Sequence, residues 1–136
     1  MKSNECTKEE RWCTCPYPAI RFEVSTLGRI RHKRTGEIVN LYYTNYSANI
    51  AKKYNRSMEK RYAMFTIWFK GKSTHMYVHR CVAMAFIQRP SDDLFTRYEV
   101  DHINGNKKDN RVENLEWVTH SENIRRYWRK KKQRNG

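Results

Sequence analysis

The stretch DHINGNKKDNRVENLEWVTHSENI, Asp101 to Ile124, decides how this chain is read. Tyr98 to Ile103, which runs into its start, has the make-up of a short strand. Asn104 to Arg111 is rich in Asn, Gly and Asp, residues that tolerate left-handed turns, so a loop follows. Val112 to Val118, with apolar Val112, Leu115 and Trp117, reads as a turn and a second short strand. Thr119-His120-Ser121-Glu122 fits a capping box, with Thr119 as N-cap and Glu122 three residues later. The helix it opens carries Ile124, Tyr127 and Trp128 on one side, where packing is the expected use of the two aromatic rings. The order is strand, loop, strand, helix.

The chain around this stretch is strongly basic. Its 136 residues hold 28 Lys and Arg against 14 Asp and Glu, a net charge of +14. A charge of that size points to a polyanionic partner, nucleic acid first. The segment from Arg125 to the end adds Arg and Lys and no acid. An Asp-His pair in such a chain suits phosphodiester hydrolysis, which needs a cation at the phosphate, a base to activate water, and something to hold that base. Asp101 supplies one anionic oxygen for a hard divalent ion. His102 has the pKa range of a base near neutrality. Asn123, in the first turn of the helix, offers an amide oxygen as a second hard ligand. Asn114 lies between, where its side chain or carbonyl can hold the His102 ring in one tautomer. Asn104, Asn106 and Asn110 are expected to serve the turn, and Asp109 to brace it. His120 is a candidate phosphate or leaving-group contact, set against an ordinary exposed first-turn residue.

Upstream, Phe22 and Val24 alternate with Arg21 and Glu23, a turn follows over Thr26 to Gly28, and Ile30 alternates with Arg29 and Arg31. With Ile38 to Tyr43 this predicts an antiparallel meander whose outer face is basic. Residues 46–61 read as weak helix or loop. Residues 63–78 predict two strands around a Lys70-Gly71-Lys72 turn. Val78, Cys81, Val82, Ala85 and Phe86 fall on one helical face, with His79 off it as a solvent or phosphate contact. QRPSDDLF reads as a linker. The first fifteen or so residues read as a loose lead-in. Cys6, Cys13, Cys15 and Cys81 are expected as thiols, Cys81 in the core and the others at the surface. Their C-x-C spacing does not favour a structural zinc.

Asp101 to Ile124 resembles the HNH endonuclease family, of the ββα-metal fold, in the branch of phage and intron homing endonucleases. The pattern that carries the resemblance is D-H-I-x-G-N-K-x-D-N-R-x-x-N-L-x-W-V-T-x-x-E-N-I. RFEVSTLGRIR and MYVHRCVAMAFIQRP resemble the small module that often precedes this branch. The resemblance implies Asp101 and Asn123 as ligands of one catalytic ion, Mg²⁺ or Mn²⁺, His102 as general base, and Asn114 as the residue that orients it and braces the loop. Asn123 departs from better-known relatives, which place a His there.

The expected fold class is α+β: a small N-terminal antiparallel β-meander plus helix, then a C-terminal ββα-metal motif. The expected units are a basic DNA-binding module over residues 1–90 and a nuclease motif over 91–136. The expected function is a divalent-metal-dependent DNA endonuclease, a nicking homing type from a phage or mobile element, acting as monomer or homodimer on double-stranded DNA. Arg31, Arg34, Lys70, Lys72, Arg125, Arg126 and Arg129 are the expected DNA contacts. The alternative is a non-catalytic architectural binder. RNA processing is disfavoured because no K/R-G-F-G-F-type motif is present. No apolar run reaches membrane-spanning length and the N-terminus has no signal-peptide core, so a cytoplasmic protein is expected, in the host cytoplasm if phage-encoded.

Overall fold

A computed structural model describes residues 9–43, 62–93 and 95–135. Three short strands form the first sheet: β1 (Trp12–Thr14), β2 (Phe22–Ser25) and β3 (Ile30–His32), in antiparallel order β1-β2-β3. Val24 lies opposite both Cys13 and Ile30, which sets the register. β1 corrects the expectation of a loose lead-in. Pairing with β2 orders it, and the Arg31 guanidinium sits 3.9 Å over the Trp12 ring. The strand expected over 38–43 shrinks to a bridge between Ile38 and Arg31 and to β4 (Tyr42–Tyr43). The expectation for 46–61 lies outside the described residues.

β4 pairs with β5 (Ala63–Phe69), and β5 with β6 (Lys72–Tyr77), making a second three-stranded sheet. The β5–β6 turn has Lys70 at φ 52° and Gly71 at φ 75°. Positive φ at both central residues suits the right-handed twist of a tight hairpin. β6 runs directly into α1 (Val78–Phe86), whose Val78, Cys81 and Val82 are buried. They share a core with Val24, Ile30 and Phe65, all fully buried.

Two expectations fail here. Cys15 is not a surface thiol: it is buried beside Cys81, and that hydrogen bond together with burial raises its pKa well above the ordinary thiol range. His79 is not on a solvent face. It is 8% exposed. The rings of Tyr62, Tyr77 and His102 pack around it, so this start of the helix is interior.

β7 (Tyr98–His102), a 3₁₀ turn (Val112–Asn114), β8 (Leu115–Thr119) and α2 (His120–Asn135) follow in the expected order. The class is α+β with antiparallel sheets. Leu115 joins the same core cluster as Val24 and Val82, and Trp117 Nε1 donates to the Ile87 carbonyl at 2.9 Å. α2 packs on β7 and β8. Its 16 residues span about 24 Å, against about 17 Å for a five-residue strand, so the helix outruns its support. Tyr127 and Trp128, expected as packing, are 49% and 57% exposed and meet each other edge-on. Among the described residues no helix is long and apolar enough to cross a membrane.

Candidate active site

Side chains alternate along a strand, so neighbours on β7 serve opposite faces. The register pairs Asp101 with Glu116, and His102 with Leu115. Glu99, Asp101, Glu116 and Val118 thus share the face that α2 covers. Val100, His102, Leu115 and Trp117 share the face turned to α1.

On the α2 face, Asn123 Nδ2 donates to Glu99 Oε2 at 2.7 Å, and Arg126 Nη1 donates to Asp101 Oδ2 at 3.0 Å. Residues two apart on β7 therefore meet residues three apart on α2, which brings Asp101 and Asn123 to one small region. The amide nitrogen of Asn123 is engaged, so its oxygen remains for a ligand. A carboxylate and an amide oxygen are hard donors that fit Mg²⁺ or Mn²⁺, with water and phosphate completing the shell. Among the described residues no three His, Cys, Asp or Glu side chains converge as a metal cluster.

Glu99 was missed by reading the sequence, although its place two residues before Asp101 puts it on the same strand face. His120 Nδ1 lies 2.6 Å from Glu99 Oε1. The Asn123 hydrogen bond is the main cause that holds the Glu99 carboxyl below its ordinary pKa. Arg126 was expected to reach outward. It is turned to the strands instead, bonded to Asp101, Glu116 and Glu122. Glu122 N–H donates to Thr119 Oγ1 at 3.1 Å, as the capping box predicts, but the Glu122 carboxylate goes to arginines rather than back to the cap.

On the α1 face, His102 is 4% exposed and its Nε2 lies 2.8 Å from Asn110 Oδ1. An amide oxygen only accepts, so Nε2 carries the proton and Nδ1 of the neutral ring holds the lone pair. Burial is the main cause that lowers the pKa of His102, which favours that neutral form. The residue bonded to the ring is thus Asn110, not Asn114. Asn114 Nδ2 donates to the Asp109 carbonyl and to Asn104 Oδ1, and its Oδ1 accepts from Asn104 N–H. It braces the loop and lies too deep in those bonds to serve the imidazole. Asn110, expected as a turn residue, is 5% exposed. Asn104 and Asn106 do serve the turn, each accepting from a backbone N–H two residues on. Asp109 braces it, bonded to Arg111 and Asn104, and the Arg111 bonds hold its carboxyl down to about 2.

The remaining expected DNA contacts are dispersed. Arg31 pairs with Glu23 and stacks on Trp12. Arg34, Lys70 and Lys72 are exposed. Arg125 and Arg129 are exposed on α2, each paired with Glu122.

Residues 76–125 match the family model described as HNH endonuclease. That segment belongs to the HNH endonuclease family. The match spans the end of β6, all of α1, the strand-loop-strand segment and the first six residues of α2. An uncharacterized HNH endonuclease of Acanthamoeba polyphaga mimivirus, L247, is 32% identical over 125 residues, which is 89% of this chain and 27% of that protein. A second from the same virus, L245, is 33% identical over 63 residues, 46% of this chain and 18% of that protein. This chain thus spans about a quarter of the first relative's length. A solved structure described as DNA binding and cleavage by the HNH homing endonuclease I-HmuI has a TM-score of 0.63 at 23% identity. It covers 88% of this chain and 59% of its own. The two share a fold.

Proposed function

We propose that this chain is a divalent-metal-dependent DNA endonuclease that nicks one strand per active centre. One observation carries the proposal. The end of β7 offers hard oxygens to α2 on one face and, one residue on, an oriented neutral imidazole on the other. Asp101 and the Asn123 oxygen would hold the ion. When bound, it supplies positive charge against the charge that builds on the phosphate. A phosphate laid across the strand end would have those oxygens on one side and His102 on the other. His102 Nδ1 would take the proton from the attacking water, while Asn110 keeps Nε2–H turned away. His120, partnered by Glu99, stands at the start of α2 on the ligand side, where it would contact the phosphate or leaving group. DNA as substrate is supported by the net charge of +14 and by what is described for I-HmuI. That description also supports the homing type, and with it a phage or mobile-element origin.

Supercoiled plasmid tests this directly. Wild-type protein should convert it to open circle with Mg²⁺ or Mn²⁺ and not with EDTA. His102→Ala should lose cleavage by at least about a hundredfold, with DNA binding retained. Linear product would indicate paired cuts. No cleavage with either ion, with salt-sensitive binding intact, would leave an architectural binder.

A further inference from the structure

Among the described residues, His79 Nδ1 is the one buried side-chain nitrogen or oxygen with no hydrogen-bond partner. The ring belongs to α1, outside the strand-loop-strand-helix unit, yet it lies against the candidate base. Its centroid is 5.2 Å from that of His102. Tyr62 stacks with it at 4.8 Å and 24° between planes, and Tyr77 meets it edge-on at 5.7 Å. Lys107, from the loop after β7, places its Nζ 4.6 Å from the Tyr62 ring. The cluster therefore joins α1, β6 and the catalytic loop around one imidazole.

We propose that His79 is a positioning residue of the nuclease centre, its ring fixing the His102 imidazole and its Nδ1 gaining a hydrogen-bond partner when DNA and its water enter. The inference rests on the reading of His102 as base. Phenylalanine, a somewhat larger ring of similar shape, would occupy the site without leaving a buried nitrogen unpaired, so the unpaired imidazole carries a cost in folding. Costs of that kind persist where the group has a task in another state of the molecule. Burial, with the neighbouring His102 next in weight, pushes the His79 pKa down to about 3. The ring is therefore neutral in ordinary conditions, with one N–H and one lone pair to offer. A neutral ring can order water or a neighbouring imidazole without adding charge beside it.

His79→Phe separates positioning from packing. Three quantities are read: thermal midpoint, affinity for supercoiled plasmid in EDTA, and single-turnover cleavage with Mg²⁺ at saturating enzyme. The variant should melt higher than wild type, bind DNA equally well, and cleave about ten- to a hundredfold more slowly. A ring that only packs gives the higher midpoint with unchanged cleavage, and that result overturns the proposal. His102→Ala, run alongside, keeps the two readings apart. Loss in His102→Ala with none in His79→Phe overturns the positioning role alone. No loss in His102→Ala overturns the base assignment and the positioning role with it. Should His79→Phe fold poorly, wild-type protein answers by ¹⁵N-resolved imidazole spectra with and without a short mixed-sequence duplex in EDTA. A shifted His79 Nδ1 resonance supports the gain of a partner, and an unmoved one overturns it.

Discussion

A strand residue's neighbour in sequence is its opposite in space, and the Asp101–His102 pair uses that fact. Donor chemistry and the family resemblance were the grounds for proposing Asp101, His102 and Asn123. They were not enough to choose among the Asn residues of the loop, because nothing local marks Asn110 as the one that turns inward beneath His102. Glu99 was open to the same alternation argument that places Asp101. His79 was lost because its helical phase put it off the apolar face, while the burial comes from strands distant in sequence. Its low pKa has a consequence for stability. The folded chain refuses a proton that the unfolded chain accepts below about pH 6.5, so stability falls as pH falls through that value toward the folded pKa of about 3. One such group contributes a slope of about 1.4 kcal/mol per pH unit. His102, also lowered, acts in the same sense and stays in both proteins compared. Urea unfolding from pH 7 to 5 should therefore show a steeper loss in wild type than in His79→Phe, by about one proton's worth. Parallel lines would mean that His79 accepts protons in the folded state.

Among the elements, the hairpins and α1 were legible because turn glycines and periodic apolar residues mark them. β1 was not, since three residues show no period and only their partner strand orders them. Nor did the sequence show that the β2–β3 turn reaches the loop between β7 and β8. Gly28, at φ +82°, leaves room for Asn110: a Cβ there would come 2.9 Å from Asn110 Cβ and from its carbonyl oxygen. Val112 N–H donates to the Thr26 carbonyl at 2.9 Å, so the same turn is tied to the loop's end. Gly36 supplies a control, with φ +75° and nothing within 4 Å of the place a Cβ would take. Alanine at either site strains the backbone and should cost about 1 kcal/mol in chemical denaturation. Only Gly28→Ala also displaces Asn110, and with it the imidazole. Its single-turnover cleavage should fall about tenfold or more, while Gly36→Ala cleaves like wild type. Equal rates in the two variants would show that the turn does not govern His102.

For the molecule as a whole, the charge was plain from composition, but its division of labour was not. Leu115 shares one core cluster with residues from before QRPSDDLF, and Trp117 donates to the Ile87 carbonyl just ahead of it. The basic surface, by contrast, divides. Arg125 and Arg129 have 62% and 65% of their side chains exposed, while Arg126 has 32% and meets three carboxylates. Exposed ion pairs contribute little and yield readily to a phosphate, whereas a guanidinium shared by three acids is already neutralised. Each phosphate contact releases counterions and adds about 0.9 to the slope of log affinity against log salt. Binding to plasmid in EDTA should weaken steeply with salt in wild type. Replacing Arg125 and Arg129 together by Ala should lower that slope by about 2. Arg126→Ala should leave the slope nearly unchanged and instead lower thermal stability, because Asp101 and Glu116 lose their shared partner. A fall of about 1 in the slope for Arg126→Ala would mean that this arginine leaves its carboxylates for DNA. It would then belong with the outward contacts rather than with the structure beneath the proposed metal ligands.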